Sequence, residues 1–162
     1  MKTFIGIIII LLSTIIGYNL SLKFDKRKKY YQDFCAFNKK LQTEISFTKA
    51  SVVRIIENID NKQGDFNLLI NNLIFNMNYQ INYNYLQKEE KEFILDYVKS
   101  ITDVDEITLK KYVETAIQKL NEDYVKAVND EKKYKSLYVK LGFLFGLIVF
   151  IIIIWYERWN YI

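Results

Sequence analysis

The chain has 162 residues, 51% of them hydrophobic and 26% charged, with a net charge of +4, one cysteine, no histidine and no proline. A single cysteine excludes an internal disulfide, and the lack of histidine removes the commonest general base and zinc ligand. With roughly 45 residues in two apolar runs, about 115 remain for one small domain with a modest core and little room for a deep cleft.

The first run, Thr3 to Leu22, carries no charge. At 1.5 Å per residue it covers the ~30 Å of a bilayer core. A signal peptide is the competing reading, but no small-x-small cleavage site follows and no cysteine stands at a lipobox distance, so an uncleaved anchor is expected. Inside the run Ser13 and Gly17 form a small-x-x-x-small step. Small residues let helix backbones approach closely in lipid, where packing drives association.

A basic stretch follows: Lys23, Lys26, Arg27, Lys28 and Lys29, with Lys39 and Lys40 further on. Nucleic-acid binding is one reading of such a run. Because this one abuts an apolar segment, anionic lipid is the expected partner and nucleic acid is not. Phe34, Phe37, Leu41 and Ile45 then recur at helical spacing, with Cys35 among them as a small buried hydrophobe. Val52, Ile55, Ile56 and Ile59 repeat the stripe, with Ser51 as cap.

Gly64 interrupts the pattern, and Phe66, Leu69, Ile70, Leu73, Ile74 and Met77 predict a third helix. The asparagines at 71, 72, 76, 78, 82 and 84 accompany a general excess of Ile, Lys, Asn, Tyr and Phe. We read that excess as AT-rich codon usage rather than a prion-like tract. Phe93, Ile94, Tyr97, Val98 and Ile101 predict a fourth helix, opened by Glu89, Glu90 and Glu92, which suit a helix N-terminus. Asp103 to Asp105 reads as a turn. Asp103, Asp105 and Glu106 lack the glycine and distal glutamate of a calcium loop, so no metal site is expected.

From Ile107 the stripe runs through Val113, Ala116, Ile117, Leu120, Tyr124, Val128 and Leu137 with no glycine or proline before Gly142. One helix of roughly 70 Å is expected, continuous with the second apolar run. That run, 137–156, includes Lys140, whose stem can snorkel, and ends in Trp155, Tyr156, Trp159 and Tyr161, an interfacial aromatic belt. Gly142 and Gly146 form a G-x-x-x-G step. The two small-residue steps are expected to cross within one chain or to pair between chains.

Lysines and arginines crowd the inner borders of both runs, with Lys126, Lys132, Lys133, Lys135 and Lys140 before the second and only Lys2 and Arg158 outside. The positive-inside rule then places the middle in the cytoplasm and both termini across the membrane. The expected fold is all-α, an antiparallel cytoplasmic helical bundle between two transmembrane helices. Its parts are a first span at 3–22, a cytoplasmic domain at 23–136, a second span at 137–156 and a short tail at 157–162. No phosphate-binding loop, nucleophile elbow or paired-cysteine motif is present, so neither catalytic residues nor a cofactor are expected. The remaining Glu and Lys read as solvated surface.

Lys140-Leu-Gly-Phe-Leu-Phe-Gly-Leu147 resembles the C-terminal signature of the stage III sporulation protein AB family, which ends in a Ser-Leu-Gly-Phe-Leu-Ala-Gly-Leu run. Leu41 with Glu44, Ile45 and Phe47, the stretch from Glu92 to Asp105, and Thr14 with Gly17 are similar to further family segments. Ser51, Thr102 and Leu109 depart from it, standing where the family has proline, glycine and glutamine. The resemblance implies an endospore former and a place in the mother-cell complex facing the forespore. It also implies similarity to the cytoplasmic domains of type II secretion F platform proteins. On that analogy the chain would be a non-catalytic adaptor between a cytosolic secretion-type ATPase, stage III sporulation protein AA, and the channel-complex membrane proteins, with a homo-oligomer as one option. The alternative is a two-span signalling or stress-response protein with a helical sensor domain.

Overall fold

In a computed structural model, residues 2–48, 64–75, 80–102 and 106–159 are described. They form four helices and no strand: α1 Lys2–Thr48, α2 Asp65–Phe75, α3 Lys88–Thr102 and α4 Glu106–Trp159. The helix expected over Val52 to Ile59 with its Ser51 cap, the Asp103–Asp105 turn, and Met77 lie outside the described residues.

Local chemistry explains the ends. No glycine or proline follows Gly17 in α1, so one helix carries the first apolar run straight into the Phe34 stripe. From the sequence, such continuity is expected only for the last helix. Gly64 precedes α2, and its carbonyl accepts the Leu68 N–H at 3.0 Å. At the start of α3, Gln87 N–H donates to Glu90 Oε2 at 2.7 Å, the reach-back half of a capping box. α4 runs through Gly142 and Gly146 as a single 54-residue helix.

The chain divides into two compact units, Met1–Asp25 with Asn129–Ile162, and Lys26–Val128. The second has the conventional core. Phe34, Phe37 and Leu41 of α1, Phe66 and Leu69 of α2, Ile94, Tyr97 and Ile101 of α3, and Val113 and Leu120 of α4 are all buried. Phe34 stacks on Phe66 at 4.5 Å between ring centroids and meets Tyr97 edge-on at 5.1 Å. Each such ring contributes about 1.5–3 kcal/mol by burial, and each pair about 0.5–1.5 kcal/mol more.

Several positions differ from the sequence reading. Ile107, at the start of the expected last stripe, is 83% exposed. The buried face of α4 is set by Leu109, Val113, Ala116 and Leu120; two residues away from Leu109 is about 200° around the helix, so Ile107 points outward. Leu137 is exposed as well. Cys35 is only half-buried, its thiol donating to the Leu120 carbonyl at 3.6 Å, and burial pushes that thiol up from its ordinary pKa. Tyr30 and Tyr31, absent from the predicted stripe, are core residues.

The interior is polar in places. Asn38 donates to the Val113 carbonyl at 3.2 Å and accepts from the Tyr97 hydroxyl. Tyr85 donates to Asp65 Oδ2 at 2.6 Å and Tyr83 to the Asp65 carbonyl at 2.9 Å. Burial holds the phenols of Tyr30, Tyr31, Tyr85 and Tyr97 protonated well above their ordinary range. The linkage follows from that direction. Folded-state pKa values are raised, so their contribution is complete below the unfolded value of ~10 and is lost as pH climbs beyond it. In an alkaline titration these four phenolates should appear only together with loss of helix; phenolate absorbance that saturates while helicity is intact would contradict the burial.

Candidate functional site

The remaining unit, Met1–Asp25 with Asn129–Ile162, inverts the usual pattern, with its apolar side chains outside. Phe4, Leu11, Ile16, Phe145, Ile151 and Trp155 are each more than half exposed. α1 and α4 both contain stretches long and apolar enough to cross a membrane, and those stretches are only 17% and 6% buried. Values that low set them apart from the core helix of a soluble protein, which shields most of its surface.

Within this unit, glycines bring the two helices together. A Cβ on Gly17 would lie 2.5 Å from the Tyr138 carbonyl oxygen and 3.1 Å from Gly142 Cα. The reciprocal Cβ on Gly142 would lie 2.6 Å from the Ser13 carbonyl oxygen and 3.1 Å from Gly17 Cα. On Gly146 it would lie 2.8 Å from Ile10 Cα. All these neighbours are backbone and cannot swing aside. Ser13 Oγ donates to the Gly142 carbonyl at 2.6 Å, a bond of the kind that contributes about 0.6–1.7 kcal/mol between membrane helices.

The structure therefore brings Ser13, Gly17, Gly142 and Gly146 into one contact inside a single chain. Sequence reasoning missed Gly6, where a Cβ would overlap the Phe150 ring unless that ring moved. Its signal was present, since 6, 13 and 17 are seven and four apart and so share a helix face. Phe24 stacks on Tyr134 at 5.4 Å, and Asp25 receives Lys135 at 2.8 Å. Residue numbers thus rise along α1 as they fall along α4.

The basic residues behave differently from one another. Lys23 and Lys140 are exposed in this unit, and Lys26 and Lys29 are exposed in the other. Lys23 Nζ sits 5.0 Å from the ring centroids of both Phe24 and Tyr138. Lys28 is half-buried. Arg27, grouped with the lysines as a border residue, turns into the core of the Lys26–Val128 unit and is only 9% exposed. Its Nη2 and Nε donate to Glu90 Oε1 at 2.7 and 3.1 Å, and the Tyr31 hydroxyl donates to the same oxygen at 2.7 Å.

Glu90, read from sequence as a solvated helix-start charge, is thus a buried hub, as is Asp123, held by Lys119 at 2.9 Å and Lys126 at 3.5 Å. The guanidinium fork suits a desolvated carboxylate better than a lysine does, and Arg27 is the one arginine in that basic run. Among the described residues no group of three or more metal-ligating side chains converges.

A family model described as stage III sporulation protein AB matches residues 2–154. No curated protein and no solved structure matches the chain.

Proposed function

The chain belongs to the stage III sporulation protein AB family and is a sporulation protein, and from that premise we propose that it is a non-catalytic membrane platform. It holds a helical domain at the cytoplasmic face and couples a cytosolic secretion-type ATPase to channel subunits during endospore formation. The observation that carries this reading is that α1 and α4 each supply both an apolar run and a share of the Lys26–Val128 core. A partner bound on that core is then tied to the bilayer by unbroken helix. The acidic groups inside the domain serve folding: Glu90 and Asp123 are taken up by Arg27, Tyr31, Lys119 and Lys126. The resemblance to type II secretion F cytoplasmic domains adds analogy of fold family to this.

The lysine borders, with Lys23, Lys26, Lys29 and Lys140 exposed, support a cytoplasmic middle and extracytoplasmic termini. In a Cys35→Ala background, a cysteine introduced at exposed Ser46 should resist a membrane-impermeant maleimide in intact cells and label fully after permeabilisation. Labelling of intact cells would reverse the topology.

The adaptor role is tested with the full chain in lipid nanodiscs, offered to the purified stage III sporulation protein AA ATPase. We expect retention of the ATPase by loaded discs and not by empty ones. Equal retention by both would remove the coupling role and leave an anchor.

A further inference from the structure

Between the helices of the apolar unit lies a groove of about 770 Å³, with Ser13, Gly17 and Gly142 among its lining residues. It runs from Ile9 and Ile148 at one end to Leu20 and Tyr138 at the other. Ile9 to Leu20 covers about 16 Å of helix, close to half of the ~30 Å hydrocarbon core and so to the depth of one leaflet. At the Tyr138 end stands the Lys23 ammonium, 5.0 Å from that ring. The neighbouring acid, Asp25, is already neutralised by Lys135 at 2.8 Å, so the mouth keeps a positive charge.

A third helix is a poorer occupant. Gly17 and Gly142 line the groove, but a Cβ on either would fall 3.1 Å from the other's Cα, so they already face each other and offer no free small-residue face to a further backbone. A flexible chain needs no such flat contact.

We propose that this groove seats one acyl chain of an anionic phospholipid from the cytoplasmic leaflet, with its phosphate held by Lys23. The proposal rests on the reading of α1 and α4 as membrane spans. It goes beyond that reading in assigning a stoichiometric site with headgroup selectivity, where a plain anchor needs only bulk lipid.

Native mass spectrometry of the full chain in detergent tests it, with phosphatidylglycerol and phosphatidylcholine of identical acyl chains as probes. One bound lipid per chain is expected, with phosphatidylglycerol retained about fivefold better, the worth of one lysine beside an anionic headgroup. Lys23→Gln should bring that ratio close to one without abolishing lipid binding. Leu144→Trp, which fills the groove, should remove the retained lipid while helix content stays unchanged. Equal retention of the two lipids by the native chain, or an unaltered ratio in Lys23→Gln, would overturn the site. Competition by soluble glycerol phosphate alone would show a free-anion site and overturn it too. A dimer dispersed by Leu144→Trp would assign the groove to a second copy instead. Carbonate extraction separates the two readings: a chain that stays in the membrane pellet but shows no lipid preference sinks only the lipid site, whereas a chain released as soluble protein sinks both.

Discussion

Gly142→Leu is expected to separate α1 from α4 in the apolar unit and to lower Tm in detergent by roughly 5–10 °C, from a cost of about 2–3 kcal/mol. The effect is steric before it is energetic. Even the first carbon of the new side chain falls 2.6 Å from the Ser13 carbonyl oxygen and 3.1 Å from Gly17 Cα. Both neighbours are main chain, so no rotamer change relieves the overlap and the helices themselves must move. Moving them breaks the 2.6 Å bond from Ser13 Oγ to the Gly142 carbonyl.

Two further variants make the result specific. Gly146→Leu meets Ile10 Cα at 2.8 Å and should behave similarly, whereas Phe143→Leu, on an exposed face one residue from Gly142, should leave Tm unchanged. Proximity can be read separately. Cysteines replacing Phe24 and Tyr134, whose rings stack at 5.4 Å, should be joined efficiently by a short bismaleimide in a Cys35→Ala background. The same pair should link severalfold less in Gly142→Leu. Undiminished linking together with an unshifted Tm would show that the glycines do not set this contact.

Those glycines were legible in the sequence because close approach of two helices obeys a local rule: small residues four apart on one helix face, read directly from spacing. The stripes of α2 and α3 were legible for a similar reason, since Phe66, Leu69 and Ile70, or Ile94, Tyr97 and Ile101, fall within a few residues of one another. The Ile107 error has the opposite origin. Periodicity over a 54-residue helix fixes a face only locally, and the residues that choose the face of α4 are its partners on other elements.

Arg27 and Glu90 show the larger limit. Each sits where a charge is ordinary, one beside an apolar run and the other in the first turn of a helix. Their encounter depends on 63 residues of intervening chain that no spacing rule spans. The residue-level hint was the choice of arginine over lysine in a run otherwise built from lysines.

Removing that hub should be the most damaging change in the Lys26–Val128 unit. Glu90 accepts from Arg27 Nε and Nη2, from the Tyr31 hydroxyl and from the Gln87 N–H, so Glu90→Ala strips an acceptor from three residues at once and loosens the start of α3. Breaking a buried pair from one side costs about 3–5 kcal/mol, because the remaining charge stays desolvated without its counterpart. A Tm loss of roughly 10 °C or more is expected for the full chain in detergent. Glu90→Gln keeps the size and one acceptor oxygen and should cost less, about 1–3 kcal/mol.

Charge and packing can then be separated by the double variant Arg27→Met with Glu90→Leu. It removes both ions together and should recover most of the loss, leaving the cost of the Tyr31 hydroxyl and Gln87 N–H without their acceptor. If Glu90→Ala melts within about 2 °C of the native chain, an error of the size expected for a surface pair, the carboxylate is not a structural hub. A membrane readout locates the damage. Because Glu90 lies in α3, outside the apolar unit, the variant should still resist carbonate extraction while failing to support sporulation. A variant that melts early yet sporulates normally would show that the helical domain can be loosened without consequence, which a coupling platform could not tolerate.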